Sequence, residues 1–161
     1  MAPLNEQFQR VITEQRLGFV ATVGADGTPN LSPKGTFIVL DEQTIAFGEI
    51  RSPNTLKNID HNPVVEVNFV DPFARKGVRI KGRAEVVDSE SDGFAVLLPM
   101  FEEIWGPLAD HINCIVQIHV ERAQPLTSPA YDIGASEAEL RALWAKNFMA
   151  LQPGGRFPSE A

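Results

Sequence analysis

Residues 78–87 alternate with a period of two. Val78, Ile80, Gly82, Ala84 and Val86 fall on one side, and Arg79, Lys81, Arg83 and Glu85 on the other. Successive side chains of a strand point to opposite faces, so this pattern predicts a strand buried on one side and wet on the other. The run just before it, 64–71, repeats the pattern, with Val65, Val67 and Phe69 opposed to Glu66 and Asn68. Two such neighbours constrain the chain to a largely antiparallel sheet over a core. The 161 residues, 43% hydrophobic and 22% charged, suffice for one domain. We place it at residues 1–151, with 152–161 as a flexible tail.

The rest of the chain reads as short strands with helices between them. Leu4, Phe8, Val11 and Ile12 form the stripe of an opening helix over 4–16. A strand over 17–23 ends at Gly24-Ala25-Asp26-Gly27, a hairpin signal because glycine accepts the positive φ of a tight turn. A second strand runs over 28–40 and a third over 44–48. Ser52 and Pro53 suit the N-cap and first position of a short helix that Asn62-Pro63 ends. Residues 90–105 predict a helix in two pieces, interrupted at Pro99. A strand follows over 113–121, then a loop over 125–134. Ser136 and Glu139 have capping-box spacing and open a last helix with the stripe Leu140, Leu143, Trp144, Phe148. The expectation is a mostly β fold with peripheral helices, a closed or nearly closed barrel of six antiparallel strands. So small a barrel leaves apolar faces, such as Val65, Val67 and Phe69, for a second copy to cover.

Charge and residue usage exclude several functions. Fourteen basic against twenty-one acidic residues give a net charge of −7, which opposes generic nucleic-acid binding. Cys114 is the only cysteine and forms no internal disulfide, and His61, His111 and His119 are too scattered for a metal site. No serine sits in a nucleophile elbow, and no glycine-rich phosphate loop is present. No catalytic side chain stands out, so chemistry here would belong to a cofactor. The opening residues show no secretory signal and no apolar run is long enough to cross a membrane, which predicts a cytoplasmic protein.

Two clusters invite a ligand. At the helix opening on Ser52, Arg51, the hydroxyls of Ser52 and Thr55, and Lys57 with Asn58 surround a terminus whose free amides and dipole favour phosphate. An ordinary capped helix is the competing reading. The second cluster is Arg75, Lys76, Arg79, Lys81 and Arg83, five basic residues within nine, which could equally be a solvated strand face. Upstream, Lys34 precedes Gly35, where a planar ligand could approach the backbone closely.

Together these stretches resemble the pyridoxamine 5′-phosphate oxidase-related, flavin-binding split-barrel family. The resemblance is carried by Gly18 to Val23 with Asp26-Gly27 and Pro29 to Pro33, by Arg51-Ser52 through Ile59 with Asn62-Pro63, and by Gly77 to Val86. It covers about residues 8–126. It implies a six-stranded split barrel that dimerises with itself, with FMN at the interface and a small-molecule substrate. By the same resemblance, Arg51, Ser52, Thr55, Lys57 and Asn58 would hold the phosphate. Lys34, Gly35 and Thr36 would lie along the isoalloxazine ring, where a positive Lys34 would favour the reduced anion. Arg79, Lys81 and Trp105 are further candidates toward the phosphate, the flavin or the partner. The resemblance implies an FMN-dependent oxidoreductase, or else a carrier of flavin, deazaflavin or haem. Gly77 in place of the family's glutamine, and an ending unlike the oxidase's basic, aromatic segment, point away from vitamin B6 oxidation.

Overall fold

The computed structural model describes residues 3–155, so most of the expected tail, 156–161, lies outside the described residues. The elements in chain order are α1 (Glu6–Gln15), β1 (Gly18–Val23), β2 (Pro29–Lys34), β3 (Phe37–Val39), β4 (Thr44–Glu49), α2 (Pro53–His61), β5 (Val64–Asp71), β6 (Lys76–Asp88), α3 (Asp92–Trp105), β7 (Cys114–Thr127) and α4 (Glu137–Ala150). All strand pairs are antiparallel, in the order β2-β1-β5-β6-β7-β4-β3. The two outermost strands, β2 and β3, are separated in the chain only by Gly35 and Thr36. Two residues cannot span a flat seven-stranded sheet, so the sheet curls until its edges nearly meet. The result is the expected split barrel, with seven strands rather than six because the predicted second strand breaks at Gly35-Thr36.

The alternation in β5 and β6 is realised. Val65, Val67, Phe69, Val78 and Ile80 are buried with Phe37, Phe47 and Ile118 inside the barrel. The face of Val65, Val67 and Phe69 is therefore covered by the chain itself and is not left for a partner. At Lys81/Gly82 the register of β6 against β7 shifts by one residue. A Cβ at position 82 would collide with the His119 carbonyl oxygen, so this bulge requires glycine.

α1 is capped by Asn5, whose Oδ1 accepts from Phe8 N at 2.9 Å, and it buries Phe8 and Ile12 against the barrel. α3 covers the other side of β4, where Phe94, Phe101, Ala109 and Ile112 pack on Ile38, Ala46 and Ile115 as a second core. α3 is continuous through Pro99, contrary to the predicted break. Pro99 and Ala95, whose carbonyl loses its partner, are both exposed, so water can take the place of the missing N–H. β7 also runs further than expected, to Thr127, with Pro125 opposite Val78. Past Val120 it pairs with β6 alone, and an edge tolerates proline. The capping box of α4 forms, and Leu140 is buried while Leu143 is exposed.

Candidate functional site

The barrel end where β2 breaks and β4 runs out toward α2 opens into a cavity of about 480 Å³. Ser32, Pro33, Lys34, Gly35 and Thr36 line one wall, and Gly48, Glu49, Ile50, Arg51 and Ser52 the other. A Cβ at Gly35 would meet nothing within 4 Å, so this wall is bare backbone beside open space. Thr36 Oγ1 donates to the Gly48 carbonyl at 2.7 Å and ties the walls together.

Strand alternation places Glu49 on the same side as Ile45 and Phe47, which are buried in the barrel core. Glu49 is only 2% exposed and Lys34 only 7%. Lys34 Nζ lies 3.7 Å from Glu49 Oε2 and donates to Ser32 Oγ at 2.6 Å and to Ser52 Oγ. Ser52 in turn donates both its backbone N–H and its hydroxyl to the Glu49 carboxylate. Buried charges persist only when paired and hydrogen-bonded, and here each end of the pair is satisfied. Burial pushes the Lys34 ammonium below the usual lysine value, and Glu49 partly offsets this. The lone positive charge expected beside a ring is thus half of a neutral pair. Opposite Glu49 on β7 sits Cys114, whose thiol is pushed up to about 11 by burial and by the charges of Glu49 and Asp88. It is no nucleophile.

The helix N-terminus departs from the expected phosphate cradle. Ser52 makes no side-chain cap to α2, because its hydroxyl serves Glu49 and Lys34. Pro53 has no N–H, and Thr55 N donates to Ser52 O at 3.0 Å. Thr55 Oγ1 is buried with no partner among the described residues, and Thr55 lines neither the first cavity nor the second described next. Lys57 and Asn58 line a second cavity of about 430 Å³, with Asp26, Asn30 and Asn54. Asn58 and Asn30 both donate to Thr22 Oγ1, at 3.0 and 3.2 Å.

The remaining candidates lie on neither wall. Arg79 and Lys81 reach Glu66 across the β5–β6 ladder at 3.2 and 3.5 Å. In the same basic cluster Lys76 pairs with Glu137 at 2.8 Å, and Arg75 lies over the Trp144 ring at 4.2 Å. Trp105 stacks on Phe101 at 5.6 Å and under Arg16 at 5.2 Å, in the second core. Of eleven sequence candidates, the first cavity gathers five: Lys34, Gly35, Thr36, Arg51 and Ser52. Sequence reading missed Glu49. Its signal was a lone carboxylate at the end of the apolar run Thr44 to Gly48, where alternation points it inward.

The pyridoxamine 5′-phosphate oxidase profile matches residues 4–127, from two residues before α1 to the last residue of β7. The chain belongs to this family. Among solved structures it is similar to HupZ of Group A Streptococcus, at 30% identity over 78% of this chain and 95% of that one, with a TM-score of 0.67. An FMN-binding protein from Syntrophomonas wolfei shares the fold at 13% identity, covering 76% of this chain and 86% of its own, with a TM-score of 0.63. HutZ, the haem storage protein of Vibrio cholerae, does so at 20% identity, covering 77% and 94%, with a TM-score of 0.61. Comparison with curated proteins gave no match. Among the described residues no helix is long and apolar enough to cross a membrane.

Proposed function

We propose that this member of the family binds FMN in the cavity between β2 and the β4–α2 connection and serves as an oxidoreductase acting on a small molecule. The observation that carries this reading is the convergence of Lys34, Gly35, Thr36, Arg51 and Ser52, distant in sequence, on one cavity. The donor set fits the cofactor. Arg51 is exposed at the mouth and makes no ion pair among the described residues, so its charge is available to a phosphate. The bare backbone at Gly35 gives a planar ring a flat wall. The bound flavin would supply the hydride or electron transfer, while this chain binds and orients it and sets its surroundings. Haem is less well served, since His61, His111 and His119 line neither this cavity nor the second. In this reading the working unit is a homodimer in the cytoplasm. Support for pairing comes from exposed Phe19, Val23 and Leu31 on β1 and β2, next to the cavity wall.

The test is retention of visible flavin absorption after adding FMN and desalting, with affinity measured by titration. Arg51→Ala should weaken FMN by roughly tenfold or more, the value of a charge-assisted hydrogen bond. Lys57→Ala, in the second cavity, should weaken it less. Riboflavin, without the phosphate, should be insensitive to Arg51→Ala. A protein that stays colourless with FMN refutes the assignment, and deazaflavin and haem are then the ligands to titrate.

A further inference from the structure

Beside the unpaired Arg51, the other donors at this site, Ser52 and Lys34, are already engaged by a carboxylate of the chain itself. Glu49 accepts the Ser52 N–H and the Ser52 hydroxyl and faces the Lys34 ammonium. These groups belong to both walls of the cavity. Pro53 contributes no N–H, and the Ser52 N–H just ahead of it is the backbone donor directed at Glu49. We propose that Glu49 is a built-in competitor for anions, and that a phosphate-bearing ligand enters only as Glu49 takes up a proton and releases Ser52 and Lys34.

The inference rests on the flavin reading above and adds a condition to it. Two negative groups within a few ångströms repel strongly where one of them is buried, as Glu49 is, and protonating one of them is the usual relief. The proton comes from solvent and ends on Glu49, whose neutral carboxyl no longer holds the ammonium. The other groups facing Glu49 do not substitute for it. Lys34 on β2 and Arg51 are cationic, and Cys114 on β7 keeps its proton to about 11. Asp88, at the end of β6, lies opposite Cys114 in the ladder. Linkage makes the effect reciprocal: if the anion favours protonated Glu49, lower pH favours the anion.

The experiment is isothermal titration of FMN and of riboflavin into the full chain, in buffers of different ionisation heat, with wild type and Glu49→Gln. For wild type we expect proton uptake with FMN beyond that of Glu49→Gln, a difference that separates Glu49 from the phosphate's own ionisation near pH 6. Glu49→Gln should bind FMN more than about tenfold tighter at neutral pH, and riboflavin should show neither effect. FMN binding with equal proton uptake in both proteins and no gain in Glu49→Gln overturns the competitor role and leaves the flavin site intact. Failure of both proteins to bind FMN or riboflavin overturns both readings. If Glu49→Gln does not fold, wild type alone decides by its FMN-minus-riboflavin proton uptake against that of the phosphate group titrated free in solution.

Discussion

Two regions of this molecule use ion pairs to join elements distant in the chain, and they do so under opposite conditions. At the cavity, Lys34 and Glu49 link β2 to β4 with side chains 6% and 3% exposed. At α4, Arg141 bonds Asp71 at 2.7 Å and Glu137 at 2.9 Å, and Lys76 bonds Glu137 at 2.8 Å, with most of these groups a third to a half exposed. Water screens the second set, so each pair is worth about 0–1 kcal/mol. It does not screen the first, where either partner left alone is an uncompensated buried charge. Equivalent chemistry therefore serves as a clasp for the last helix in one place and as an obligatory couple lining the first cavity in the other.

The sharpest way to break the contrast is Lys34→Ala. It strands Glu49 and should lower stability by about 3–5 kcal/mol in a urea or thermal melt. Replacing both partners, as Lys34→Met with Glu49→Leu, should recover most of that loss, because neither charge is then buried. A double variant as unstable as the single one would mean that lost packing, not charge, sets the cost. Arg141→Ala should cost about 0.2–1 kcal/mol, and the difference should fade in molar salt. A larger, salt-insensitive loss would place α4 with the buried couple. The smallest effect is expected from acid. Hydrogen bonds from Lys76 and Arg141 hold the Glu137 carboxyl below its usual value. Its contribution is therefore present above the ordinary glutamate pKa and lost as pH falls through the lower folded value. Arg75 lies over Trp144, so fluorescence of Trp144 in a Trp105→Phe background should report loosening of α4 only below about pH 4. Loosening near neutral pH would assign the clasp to another group.

Sequence alone was most informative where one segment carries its own instructions. The alternation over 64–71 and 78–87, the Asp26-Gly27 turn (Gly27 φ 81°) and the Ser136–Glu139 capping box are local devices, and each appears in the structure. Proline was misleading at both places where neighbours decide its effect. Pro99 faces solvent within an unbroken helix, and Pro125 occupies an edge that local pattern does not reveal. The site residues divide in the same way. Lys34 to Thr36 and Arg51 to Ser52 were legible as turn, cap and charge, whereas Lys57 and Asn58 needed the helix orientation to be assigned to a different cavity.

What the chain determined by itself is therefore the set of strands and helices and which face of each is apolar, because periodicity and capping act over a few residues. Tertiary structure decided that a two-residue break at Gly35-Thr36 would become the seam of a barrel. It also decided that Lys34 and Glu49, fifteen positions apart, would neutralise one another beneath Ser52. Pairing of buried charge depends on which strands become neighbours, and that is fixed only when the whole sheet closes.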